Sequence, residues 1–219
     1  MQKLMTLCLS LVFGLAVYGC APMQQKPGSM QGKPAAKSSA KKKSGSQAQA
    51  PREALMVADF DAGVAPNNLG GAYGAWDKDP NDDTQSCKEA YSAPGRDGIG
   101  QCLKITYDVD SPNPAYNGFW MKLEGLDLRS YSKLIFWVKG DSKAGFTSRF
   151  KVELKNAKEV SPYYISNIGD DWQMIEIPLA AFAKVTDWSK TQELVIVLED
   201  NQVTEKTGVI YVDDIQFAK

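Results

Sequence analysis

Lys133-Leu134-Ile135-Phe136-Trp137-Val138-Lys139 is the stretch that decides the fold. Side chains on a strand alternate between faces. Leu134, Phe136 and Val138 therefore form one set, and Ile135, Trp137 and Lys139 the other. The first set is wholly apolar and reads as core. The second mixes tryptophan with charge and reads as a wetted face. The same period of two recurs on both sides. Phe119, Met121 and Leu123 alternate with Trp120 and Lys122, and Phe150, Val152 and Leu154 alternate with Arg149, Lys151 and Glu153. Further short runs at Leu55–Phe60, Cys102–Val109, Ser161–Ser166, Gln173–Ile177, Leu194–Leu198 and Val209–Phe217 are separated by Asp-Pro, Ser-Pro, Asn-Pro, Gly-Asp and Asn-Gly pairs, which are turn signals. Short strands at this spacing predict an all-β protein of the β-sandwich class. Leu179–Lys184 and Asp187–Thr191 are expected as single helical turns, and residues 63–100, rich in Gly, Asn and Asp, as a long loop.

The N-terminus carries a different signal. Lys3 precedes an uncharged run from Leu4 to Tyr18, followed by Gly19-Cys20. A basic start, an apolar stretch too short to span a bilayer and a small residue at a cut site describe a secretory signal. Val17-Tyr18-Gly19-Cys20 resembles the lipobox of bacterial lipoproteins. That resemblance implies cleavage after residue 19 and lipidation of Cys20. Aspartate after the cysteine would resemble the inner-membrane retention signal; Ala21 stands there instead, so the resemblance implies the outer membrane of a cell that has one. Residues 21–52 contain seven bases and no acid, with no aromatic residue. Such a segment has too little apolar surface to offset the entropy of ordering it and reads as a tether. The expected organisation is a signal over 1–19, lipidated Cys20 and tether over 20–52, and one domain over 53–219.

The bases and acids are unevenly shared. Residues 53–219 hold 17 Lys and Arg against all 26 acids, a net charge of −9. An acidic domain argues against nucleic acid as its partner. The chain has no histidine, which removes the Ser-His-Asp and Cys-His schemes and the commonest zinc ligand. Cys87 and Cys102 are the pair left to an exported domain, and an oxidising compartment predicts a disulfide between them.

Leu126-Asp127-Leu128-Arg129-Ser130-Tyr131-Ser132 leading into the opening stretch and ending on Gly140, with Asp59-Phe60-Asp61, Asn67-Asn68-Leu69-Gly70-Gly71, Trp172-Gln173-Met174-Ile175-Glu176-Ile177-Pro178-Leu179 and Tyr211-Val212-Asp213-Asp214-Ile215, resembles galactose-binding-like jelly-roll domains. Family 11 carbohydrate-binding modules and the related domain of complex I intermediate-associated proteins are the nearest in pattern. The resemblance implies a jelly roll of two antiparallel sheets that binds sugar. It also implies a structural calcium where the first and last strands meet, for which Asp59, Asp61, Asp213 and Asp214 are the candidate ligands. Sugar recognition needs flat aromatic faces and forked polar groups. Trp120, Trp137 and Tyr164 or its neighbour Tyr163 supply the first, and Lys122, Arg149 and Glu153 the second. The expected function is a non-catalytic, membrane-anchored carbohydrate-binding lipoprotein. Two rivals stand beside it: a structural lipoprotein whose jelly roll binds another envelope protein, and a glycoside hydrolase using paired carboxylates.

Overall fold

The computed structural model describes residues 53–219. The signal, Cys20 and the tether lie outside the described residues. Among the described residues eleven strands follow in order: β1 (Ala54–Ala58), β2 (Tyr73–Asp77), β3 (Ser86–Ser92), β4 (Cys102–Asp108), β5 (Tyr116–Leu126), β6 (Lys133–Gly140), β7 (Phe150–Lys155), β8 (Val160–Ile165), β9 (Gln173–Pro178), β10 (Thr191–Glu199) and β11 (Thr207–Ala218). One sheet runs β3-β4-β11-β6-β9, with β1 also on β11; the other runs β2-β5-β10-β7-β8. Every pairing is antiparallel. This is the jelly-roll sandwich the sequence predicts. β11 organises the larger sheet. One of its edges carries β4 along Thr207–Val212 and β1 beyond the register shift that follows Asp213, while its other edge carries β6.

The inward sets of β5, β6 and β7 meet between the sheets, none of them more than 2% exposed. They join Tyr107, Phe182 and Phe217 in one cluster. Each such side chain contributes about 1.5–3 kcal/mol through removal from water, so the alternation read in the sequence is what closes the sandwich.

Three expectations are corrected. Residues 63–100 are not one loop, because they contain β2 and β3. Both are edge strands. β3 buries only Cys87 fully and leaves Lys88, Glu89 and Ala90 exposed, so neither the apolar content nor a clean alternation marks it. The second correction concerns the disulfide. β3 and β4 pair with Cys87 opposite Tyr107 and Cys102 opposite Ser92. The two cysteines thus sit five ladder positions apart, about 16 Å along the strands, whereas a bridge needs Cα atoms within roughly 7 Å. Both are buried free thiols. Burial pushes Cys87 up to about 12 and Cys102 to about 11. Of the two expected helical turns, Leu179–Ala181 forms a 3-10 turn, whereas 187–190 is irregular and Thr191 opens β10.

Candidate functional site

The outward residues of the five-stranded sheet line up in rows across its strands. One row is Gly74, Trp120, Val195, Glu153 and Pro162; the next is Trp76, Gly118, Val197, Lys151 and Tyr164. A third places Lys122, Glu193, Lys155 and Val160 side by side, and Tyr116 faces Glu199 at the far end. From Trp76 to Tyr164 is four strand spacings, about 19 Å. Aromatic rings stand at both ends of this face with charge between them.

The charges form a continuous chain. Lys122 pairs with Glu193, Glu193 with Lys155 at 3.3 Å, Lys155 with Glu153 at 3.4 Å, Glu153 with Lys151 at 3.1 Å and Lys151 with Glu199 at 2.8 Å. The Tyr164 hydroxyl donates to Glu199 at 3.0 Å. Burial opposes the Lys151 ammonium, but its bonds to Glu199 and Glu153 outweigh that and hold its pKa above the ordinary lysine value. Burial and then the Glu199 bond raise the Tyr164 phenol. Three cations and three anions locked in alternation present both donors and acceptors at fixed positions, which suits sugar hydroxyls.

The rings are positioned by their neighbours. The Trp120 ring passes within contact distance of Gly74, where an added Cβ would lie 3.6 Å from it, and Lys122 Nζ stands 5.4 Å over its face. Trp76 meets Tyr116 edge to face at 5.7 Å, and Lys78 sits 5.4 Å over Tyr116. Arg149 stacks on Tyr164 at 5.1 Å. Trp76, Trp120, Lys155, Glu193 and Val195 line a hollow of about 180 Å³. The indole N–H of Trp76 and Nε of Arg149 are buried donors without a partner among the described residues. Unmet buried donors are costly.

Five of the six expected binding residues, Trp120, Lys122, Arg149, Glu153 and Tyr164, fall on this face. Trp137 does not. β6 belongs to the six-stranded sheet, so Trp137 points out of the opposite side, with the Arg96 guanidinium stacked on it at 4.4 Å. Trp76, Tyr116, Lys151, Lys155, Glu193 and Glu199 are additional. Trp76 and Tyr116 were hidden by the missed edge strand β2 and by a β5 that starts earlier than its alternation shows.

The four expected calcium ligands are each taken up by protein donors. Asp59 accepts from Asn68 Nδ2 at 2.7 Å, and Asp61 accepts from the Gln101 N–H at 3.0 Å. Asp213 accepts from the Arg96 N–H at 2.9 Å, and Asp214 from Arg96 Nε at 2.8 Å. No three candidate ligands gather into a metal-holding group among the described residues. With Arg96 already neutralising Asp214, the side chains do not fit an ion that wants six to eight oxygens.

The profile of the carbohydrate binding domain of family 11 matches residues 45–205, well over half of the chain. The chain belongs to this family. Among solved structures, the family 11 module of a cellulosomal cellulase of Clostridium thermocellum is 18% identical with a TM-score of 0.56, covering 75% of this chain and 94% of its own. The Clostridium thermocellum module in complex with a β-1,3-1,4-mixed-linked tetrasaccharide is 18% identical with a TM-score of 0.57, covering 75% and 95%. An exo-β-agarase matches at 11% identity and a TM-score of 0.54, over 75% of this chain and 25% of the enzyme. At these identities the likeness is one of fold. No curated protein sequence matches the chain significantly. Membership makes this a carbohydrate-binding domain, and the jelly roll is the framework the family requires.

Proposed function

We propose that the protein is a lipid-anchored, non-catalytic glycan-binding module of the outer membrane, and that it takes glycan on the outer face of the five-stranded sheet. The observation that carries the placement is the hollow between Trp76 and Trp120, walled by two indoles and by the Glu193 and Lys155 head groups. Rings would meet the apolar faces of sugar residues while the alternating charges meet their hydroxyls. The clostridial family member solved in complex with a β-1,3-1,4-mixed-linked tetrasaccharide supports an unbranched, neutral polysaccharide as the ligand class. Glu153, Glu193 and Glu199 are each held by lysine, which supports binding over acid catalysis, because a general acid needs a proton to give. The anchor rests on Val17-Tyr18-Gly19-Cys20 and Ala21, and the basic tether would carry the domain clear of the headgroups.

A glycan array with the full chain in detergent tests the binding reading. Trp120→Ala and Trp76→Ala should each weaken the selected glycan by about 1–3 kcal/mol, roughly fivefold to 150-fold, with the melting temperature little changed. An array with no bound glycan, beside pull-down of one envelope protein, would replace this reading with the interaction module. Loss of membrane association in Cys20→Ala checks the anchor.

A further inference from the structure

The loop from Ala93 to Gln101 folds over the outer face of the six-stranded sheet. Arg96 lies on Trp137, and its N–H reaches Asp213. Between this loop and the sheet is a cleft of about 350 Å³, lined by Pro94, Arg96, Cys102, Lys139, Trp172 and Tyr211 among others. No carboxylate lines it, although the domain as a whole is acidic.

Its two cations differ. Arg96 is saturated by Asp214 and Asp97. Lys139 has no ion pair among the described residues; its Nζ stands 5.0 Å from the Trp172 ring and 5.1 Å from the Tyr211 ring. Lys104 flanks Tyr211 from the other side on β4. The adjacent acid, Asp141, is engaged by the Tyr211 hydroxyl and the Lys143 and Ala144 N–H groups and makes no ion pair with Lys139. An ammonium resting on aromatic rings is held less strongly than one that donates a charge-assisted hydrogen bond, so a carboxylate entering the cleft would pair with Lys139 and uncover the indole face of Trp172.

We propose that this cleft is a second glycan site, on the sheet opposite the first, and that it takes an anionic sugar of the uronic acid class. The carboxylate pairs with Lys139, and the pyranose ring lies on Trp172 beside Tyr211. The site is independent of the five-stranded face, so one protein would hold a neutral and an acidic glycan at once.

Calorimetric titration of the full chain in detergent with an oligogalacturonate hexamer tests this. Wild type should bind, more weakly as salt rises. Lys139→Gln and Trp172→Ala should each lower affinity about tenfold to a hundredfold, Lys139→Arg should retain most of it, and Trp120→Ala should leave it unchanged. Absence of binding to wild type, or binding that survives Lys139→Gln but is lost in Trp120→Ala, overturns the second site and leaves the first intact. Binding lost only in Lys139→Gln and Trp172→Ala, beside an array without neutral ligands, upholds the second site while the first fails.

Discussion

Asp213 offers a pH dependence whose sign and size follow from its surroundings. It is 4% exposed, beneath the loop that carries Arg96. Burial raises its pKa from 3.8 to about 6; the Asp214 and Asp61 carboxylates add to the rise, while the Arg96 and Asp214 N–H groups oppose it. The folded protein therefore keeps a proton that the unfolded chain releases between about pH 4 and pH 6. Stability must fall as pH rises through that window and level off above it. At 1.36 kcal/mol per pH unit, a rise from 3.8 to about 6 amounts to at most about 3 kcal/mol. Asp127 and Glu159, depressed to about 2 from 3.8 and 4.5, act in the opposite direction and lose their contribution as pH falls from about 5 towards 2. That overlaps the lower part of the Asp213 window, and comparison with Asp213→Asn cancels it because both proteins carry these groups. The assay is urea unfolding of wild type and Asp213→Asn at half-unit steps from pH 4 to pH 7. Asparagine resembles the protonated acid, so the two proteins should agree best near pH 4. Wild type should then lose up to about 3 kcal/mol relative to the variant by pH 7. Curves that run parallel over the whole range would refute the assignment of a buried, proton-holding Asp213.

Further outcomes follow from the same geometry. An added Cβ at Gly118 would lie 2.0 Å from the Ile196 carbonyl oxygen. Gly118→Ala should therefore cost about 1–3 kcal/mol by overpacking and lower the melting temperature by roughly 2–12 °C; an unchanged melt would mean that β5 and β10 part more easily than their ladder indicates. Cys87 and Cys102 should resist alkylation in the native protein and both react in urea without reductant, read by intact mass; one bridged species would contradict the β3–β4 register.

Legibility varied with the range of the interaction that fixes each feature. The inward faces of β5, β6 and β7 were readable because strand alternation is local: Phe119, Phe136 and Val152 each announce their side within three residues. The edge strands β2 and β3 were not, since an edge strand needs only one buried side chain in places, and Cys87 was read as a bridge partner when it fills that role. Register is still less local. Nothing near Cys87 or Cys102 states that the intervening chain returns as the antiparallel neighbour, which is what puts the two thiols at opposite ends of one ladder.

The tryptophans show why a binding face is harder to read than a core. Trp120 and Trp137 have the same local signature, an aromatic residue outward on a strand whose alternate positions are apolar, and that signature fixes only that each leaves the core. Which side it leaves from depends on the partners of its strand. β5 lies against β2 and β10, whereas β6 lies between β11 and β9, so sequence neighbours Leu126 and Lys133 bracket a crossing from one sheet to the other. The crossing sends the two rings to opposite surfaces, and each surface then acquires its own chemistry from strands distant in sequence. Trp120 gains the balanced lysine–glutamate chain contributed by β7 and β10. Trp137 gains Arg96 from the loop before β4, and beside it Lys139 meets Trp172 and Tyr211 and makes no ion pair among the described residues. A protein that bound sugar through a single site would need only the first of these. On the proposal of a second site, the lysine without an ion pair on the second surface is what would distinguish this chain from a sandwich with one working face, and affinity measurements with a charged oligosaccharide decide between the two.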